Sequence, residues 1–245
     1  MGFRIPQQYI GGAPGNNSVV VTAGAANVLG AWASFGNTPY PINRLIFLVD
    51  TTIGGTQYSS LFNIAFGPSG SQVVLIPNIF MYSQSANSGY LDLYLEVDIP
   101  ILPAGTPLWV NLQSTDASIT PRVSLAVQFT GHGKREGVST LGAVTSDSSG
   151  TPFVLASGSY GAWTSLGTLS IPATRMILTA VRAVSSLQTV NIGIGAAGSQ
   201  SMVVQDVPVI YNNPALPFEG NFPPGEYWIQ GQGDTETVWA TALFY

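Results

Sequence analysis

Gly193 to Gly198 read GIGAAG, the spacing of a dinucleotide fingerprint in which glycine N–H groups and a helix N-terminus hold a pyrophosphate. That chemistry needs a helix after the glycines and an acid about 20 residues further on. The glycines lead instead into SQSMVVQDVPVI, an extended run with Pro208 near its end, and Asp206 arrives only eight residues after Gly198. An earlier segment, AFGPSG (Ala65 to Gly70), occupies the same place in a second copy of the surrounding sequence. The two copies share Gly67 and Gly70 with Gly195 and Gly198, which is what a hairpin turn requires and less than a phosphate cradle requires. The glycines therefore predict turns, and no cofactor is expected.

His132 is the single histidine, so a Ser-His-Asp site would have to use it. It lies between two glycines, away from any patterned strand that would aim a general base. With one histidine and no cysteine, a metal would have only oxygen ligands, and no metal site is assigned. Asp92, Glu96 and Asp98 are the one acidic cluster, on alternating positions of a strand, with Glu96 and Asp98 about 6 to 7 Å apart. Paired carboxylates at such a spacing serve glycosidases, and equally describe a solvated strand face. Asp92, Tyr94, Glu96 and Asp98 are taken as a candidate contact face for a partner or ligand, with no catalytic residue among them. A Ca²⁺ role for these acids, or for Asp234 and Glu236, stays open. Trp109, Trp228, Trp239, Tyr90, Tyr94 and Tyr227 would stack on sugar rings if exposed, while Trp32 and Trp163 read as packing residues.

The elements that position these residues repeat. AWASFGNTPYPINRLIF (Ala31 to Phe47) aligns without gaps on AWTSLGTLSIPATRMIL (Ala162 to Leu178), matching Trp32 with Trp163, Gly36 with Gly167 and Arg44 with Arg175. NIAFGPSGSQ (Asn63 to Gln72) and NIGIGAAGSQ (Asn191 to Gln200) share six of ten residues. PAGTPLWV (Pro103 to Val110) meets PPGEYWIQ (Pro223 to Gln230), placing Gly105 against Gly225, and VSLAVQF meets VWATALF. The blocks keep one order while their separation shrinks, as when one module keeps its strands and shortens its loops.

Within each copy the period is two. LDLYLEVDI puts Leu91, Leu93, Leu95, Val97 and Ile99 on one face and Asp92, Tyr94, Glu96 and Asp98 on the other. The second copy reads NNPALPFEGNF there and shows no counterpart of this acidic strand. Seven or eight such strands per copy predict an all-β chain of two tandem antiparallel β-sandwich domains, of jelly-roll or immunoglobulin-like topology, with jelly roll favoured. The boundaries read as an extended N-terminal arm over 1–17, a first sandwich over 18–130, a linker over 131–150 and a second sandwich over 151–245.

Composition narrows the function classes. Across 245 residues only 8% are charged, the net charge is −5, and the seven basic residues are scattered without a stripe that would neutralise a phosphate backbone. Direct nucleic-acid binding is not expected. No apolar run approaches the roughly 18 residues of a membrane span, and the N-terminus has no signal-peptide core, so neither a membrane nor the secretory route is expected. The absence of cysteine leaves stability to packing and assembly.

The block NIGIGAAGSQ with the valine-rich strand after it, and the Pro-Gly turns at Gly105 and Gly225, resemble modules in structural proteins of tailed bacteriophages. The resemblance implies a virion component: jelly-roll-like modules decorating a head or built into a tail or fibre, assembled in the host cytoplasm, with no enzymatic residues to carry over. It implies other capsid or tail proteins as partners and a homo-oligomer, a trimer being the expectation from particle symmetry. A host glycan or receptor is the alternative partner.

Overall fold

A computed structural model describes residues 7–14, 18–50, 58–83, 91–130, 137–182, 188–209 and 215–245; the side chains of Leu91, Asp92, Arg182, Gln188 and Val209 are also outside what is described. The first half contributes β1 (Gln8–Ile10), β2 (Val19–Val20), β3 (Ala33–Asn37), β4 (Ile42–Asp50), β5 (Tyr58–Phe66), β6 (Val73–Ser83), β7 (Leu91–Leu102), β8 (Pro107–Ser114) and β9 (Arg122–Gln128). The second contributes β10 (Ser139–Leu141), β11 (Ala143–Val144), β12 (Ser149–Val154), β13 (Thr164–Leu169), β14 (Ala173–Arg182), β15 (Gln188–Ile194), β16 (Ser201–Val209), β17 (Ala215–Phe222), β18 (Gly225–Gln232) and β19 (Thr237–Phe244). The only helical element among the described residues is the 3-10 turn Thr145–Asp147.

Pairing settles the topology. One sheet of the first half runs β2-β9-β4-β7, with β1 also along β9, and faces a sheet running β3-β8-β5-β6. The second half repeats this as β12-β19-β14-β17, with β10 also along β19, facing β13-β18-β15-β16. Among the eight strands that the halves share, only one hairpin in each joins neighbours within a sheet, β5–β6 and β15–β16, and the other connections cross between sheets; the second half adds a short β11–β12 hairpin at the edge of its first sheet. That is a jelly roll and not an immunoglobulin order, in which consecutive strands pair more often. The chain is two tandem jelly-roll sandwiches.

The period-two pattern explains each core. Along β7, Leu93, Leu95, Val97 and Ile99 are almost fully buried, while Tyr94 between them is 53% exposed. Phe47 and Phe62 meet edge to face across the first sandwich at 5.5 Å. Phe222, Tyr227 and Phe244 fill the second, with the Tyr227 and Phe244 rings 4.8 Å apart. Each buried aliphatic or aromatic side chain is worth about 1.5–3 kcal/mol over exposure.

Three features differ from the sequence reading. The stretch read as an arm supplies β1, and the stretch read as a linker supplies β10, β11, the 3-10 turn and the start of β12. These segments correspond: each leading strand pairs with the last strand of its module and is followed by a glycine at positive φ, Gly11 (72°) or Gly142 (82°). Being short, and set among glycines in the first case and Ser, Thr and Gly in the second, they carry no alternation to see. Second, Trp109 pairs with Ser34 and Ala65 as Trp228 pairs with Ser165 and Gly193. The gapless match of PAGTPLWV to PPGEYWIQ is therefore one residue out of register beyond the turn. The match of VSLAVQF to VWATALF is two residues out, since Leu45 pairs with Val127 as Met176 pairs with Phe244. Third, β17 is the counterpart of β7 that the sequence did not reveal, pairing with β14 as β7 pairs with β4. Pro217 and Gly220 disguise it, and an edge strand is where a missing N–H is tolerated.

Tyr227 is fully buried, donates from its hydroxyl to the Pro223 carbonyl at 2.9 Å, and has its pKa pushed by burial from 10.0 up to about 12. Above pH 10 the unfolded chain loses this proton while the folded chain keeps it. The stabilisation is therefore complete below pH 10 and is lost as pH rises through about 12, amounting to about 2–3 kcal/mol. Thermal unfolding at pH 9 and pH 11.5 checks this. Tyr227→Phe is expected to cost about 1 kcal/mol at pH 9 and to show a smaller alkaline drop than the parent; an equal drop in both would refute the assignment.

Candidate functional site

In the first sandwich β6 and β7 are the outermost strands of facing sheets, so the gap between them opens onto the core. Such an edge must be covered. The second sandwich covers it with the outer face of β14 and β19: Ile177, Leu243 and Tyr245 join the buried cluster containing Ile79, Leu93 and Leu95. Beside them Leu61, Phe80 and Val181 form a shared cluster, and Tyr82 stacks on Trp239 at 6.0 Å with the rings nearly parallel. Thr140 donates to the Pro77 carbonyl, and Gln113 Nε2 donates to the Thr145 carbonyl at 2.6 Å.

Charge converges at the same junction. Arg44 Nε lies 2.7 Å from Asp98 Oδ1 and its Nη1 2.6 Å from Glu96 Oε1. Arg175, the repeat partner of Arg44, reaches back from the second sandwich to Asp98 Oδ2 at 3.2 Å and holds its own Glu219 at 2.7 Å. Asp98 is only 7% exposed, so it sits between two guanidinium groups contributed by two domains. Burial works against the Arg175 charge, but Tyr245, Asp98 and Glu219 more than offset it and hold its pKa above the usual value. The Tyr245 backbone exchanges hydrogen bonds with that of Arg175, and its hydroxyl donates to the Glu96 carbonyl at 3.4 Å.

Of the predicted contact face, then, Glu96 and Asp98 are bound within the chain, Tyr94 is exposed with its hydroxyl on Glu96 at 3.3 Å, and the Asp92 side chain is outside the described residues. His132 and Tyr90 are also outside them. Among the described residues no three His, Cys, Asp or Glu side chains gather as metal ligands. Gly67, Gly70, Gly195 and Gly198 lie in the β5–β6 and β15–β16 turns at φ between 81° and 129°. In both turns a tryptophan clamps the first glycine: Trp109 Nε1 donates to the Gly67 carbonyl at 2.7 Å and Trp228 Nε1 to Gly195 at 2.8 Å. Gly105 at φ 80° donates to the Thr38 carbonyl, and Gly225 opens β18. Gly193, the first glycine of the apparent fingerprint, lies within β15, where an added Cβ would come within 3.0 Å of the Trp163 ring.

The sequence pointed to Asp98 but not to its partners Arg175, Glu219 and Tyr245, nor to the Tyr82–Trp239 stack. The signal for Arg175 was present, since it matches Arg44 in the repeat and charged residues are scarce. A further polar surface lies on the outer face of the second sandwich, where Tyr160 donates to Asp206 and lies 3.1 Å from Thr189 Oγ1. Asn191 and Gln230 are buried on the same sheet, and Trp163 and Trp228 are half-buried.

No family model matches the chain, and no curated protein matches it in sequence. Among solved structures it is similar to the T13 viral particle of infectious bursal disease virus, with 12% identity over 98% of this chain and 69% of that one and a TM-score of 0.27. The VP2 subviral particle of the same virus gives 12% identity, 98% and 72% coverage and 0.27. The tandem CBM22 domains of Paenibacillus barcinonensis Xyn10C give 10% identity, 97% and 90% coverage and 0.27. The likeness says nothing of what this chain binds.

The junction is testable by breaking its ionic centre. Asp98→Asn leaves two arginines facing a neutral amide and is expected to cost about 2 kcal/mol, below the value for a fully buried pair because the arginines are partly exposed. Calorimetry should show the two sandwiches melting separately where the parent melts together. An unchanged single transition would show that the apolar contacts couple the domains alone.

Proposed function

We propose that this protein is a non-enzymatic structural component of a virus particle, two fused jelly rolls that bind their neighbours through sheet faces and edges. The observation that carries the reading is the junction. Its scarce charged groups and several of its large aromatic residues are committed to holding one sandwich across the open edge of another, which is the interaction an assembly protein repeats between subunits. A surface poor in charge, a leading strand on the sheet edge of each module and the absence of cysteine suit stability obtained from packing. The tailed-phage virion is the setting that the sequence resemblance implies, as a head decoration or a part of the tail or fibre.

The outer face carrying Tyr160, Asp206, Asn191, Trp163 and Trp228 favours a second reading, a carbohydrate- or receptor-binding sandwich. Partly exposed rings beside the exposed Asp206 carboxylate offer a ring face and a hydrogen-bond acceptor, the groups that sugars engage.

Mass spectrometry of purified particles tests the first reading: the chain is expected at a fixed stoichiometry to the major shell or tail protein, and its absence from particles would end it. A broad glycan array tests the second. Binding abolished by Trp163→Ala, with the fold retained, would establish it, and no binding to any glycan would remove it.

A further inference from the structure

The junction uses two surfaces, and each has a repeat-related twin elsewhere in the chain. The donor surface is the outer face of β14 and β19 with Ala215 of β17. Its twin in the first sandwich is the outer face of β4, β9 and β7. There Ile46, Leu48 and Ala126 form a buried patch, and Tyr9 and Tyr94, on the strands that flank it, are 37% and 53% exposed. Tyr94 holds the position of Ala215, since it pairs with Leu48 as Ala215 pairs with Thr179.

The acceptor surface is the β6–β7 edge with Gln113. Its twin is the β16–β17 edge with Gln232, and there the chain supplies no cover among the described residues. Gln113 is buried against Thr145 and Ser148, whereas Gln232 is half-exposed. Phe80 is buried in the junction, whereas Pro208, two residues after the αL position that Asp206 shares with Asn78, is exposed. Asp98 is buried between two arginines, whereas Glu219, its twin opposite Arg175, has a side chain 75% exposed and one arginine.

We propose that a second copy of the chain docks its first sandwich, through the Tyr94 face, across the β16–β17 edge of this one, repeating between molecules the junction found within each. The charges agree with this occupant: Arg175 bridges its own Glu219 and the preceding Asp98, and Arg44 of the second copy would bridge its own Asp98 and the exposed Glu219. The interface is heterologous, so assembly continues head to tail into a closed ring or an open filament according to the rotation per step. This deepens the assembly reading by naming the partner.

Sedimentation velocity on the full chain over a range of concentrations tests it. The parent is expected to form oligomers larger than a dimer. Tyr94→Glu blocks the face and Pro208→Glu blocks the edge, and each is expected to leave monomer; both sites are exposed, and circular dichroism checks that the fold is kept. Mixing the two variants leaves one intact face and one intact edge, so the mixture should form a dimer and stop there. A parent that stays monomeric, variants that assemble like the parent, or a mixture that stays monomeric would each overturn the proposal. A monomeric chain nonetheless found in particles would defeat this inference alone, whereas head-to-tail oligomers of a chain absent from particles would defeat only the virion reading.

Discussion

A sandwich of two open sheets has a side where its last strands leave the core unsealed, and the rest of this structure is set by how that side is closed. In the first jelly roll the unsealed side lies between β6 and β7, and the second jelly roll is laid over it. Unpaired strand edges beside exposed leucines would otherwise invite any passing chain to pair. Closing the gap with a copy of the same module is economical in sequence, because duplication supplies at once a sheet face and an edge that differ only by later substitution. The order of the halves then has a meaning. The first is an acceptor, and the second is a donor whose own β16–β17 edge has no cover among the described residues.

Energy and specificity divide between different residues at that closure. Ile177, Leu243, Phe80 and the Tyr82–Trp239 stack remove apolar area from water and supply most of the attraction. The Arg44–Asp98–Arg175 group contributes little net stability, since desolvating three charges consumes most of what their attraction returns. What it does is penalise misplacement. A shift that parted Asp98 from one arginine would leave a nearly buried carboxylate under-compensated, so the group fixes one register between two otherwise slippery apolar faces. In a chain with 8% charged residues, a cluster of five at one junction is a specificity device.

The fold was legible because its determinants are local and repeated. Alternation along β7 and the matching blocks around Trp32 and Trp163 needed no tertiary information. The leading strands were not legible, since Gln8–Ile10 and Ser139–Leu141 are held by backbone pairing to β9 and β19 and carry no hydrophobic period. The strand β17 was hidden by its proline and glycine. The acidic face was legible as a cluster but not as a junction: period two assigns Asp98 to the outer face correctly, yet says nothing of a domain that covers that face. Only the position of Arg175 in the repeat, matched to Arg44 of the first copy, carried a trace of it.

The two copies have diverged in the direction this division of labour requires. Where the first module needs an apolar edge to receive its neighbour it has Phe80 and Tyr82, and in the second Pro208 stands at the position of Phe80, without a ring to bury. Where the second module's donor face is permanently buried it carries Val181, Trp239 and Leu243, while the residues in register with them in the first are Asp50, Arg122 and Ala126. A face joined once and for all within a chain tolerates large apolar residues, because it is never exposed after folding. A face that must remain soluble until it meets another molecule cannot, and is limited to tyrosines over a small aliphatic patch. On the proposed head-to-tail contact, the polar twin of each junction surface is what reversible association of separately folded molecules demands, and the apolar one is what a covalent tether allows.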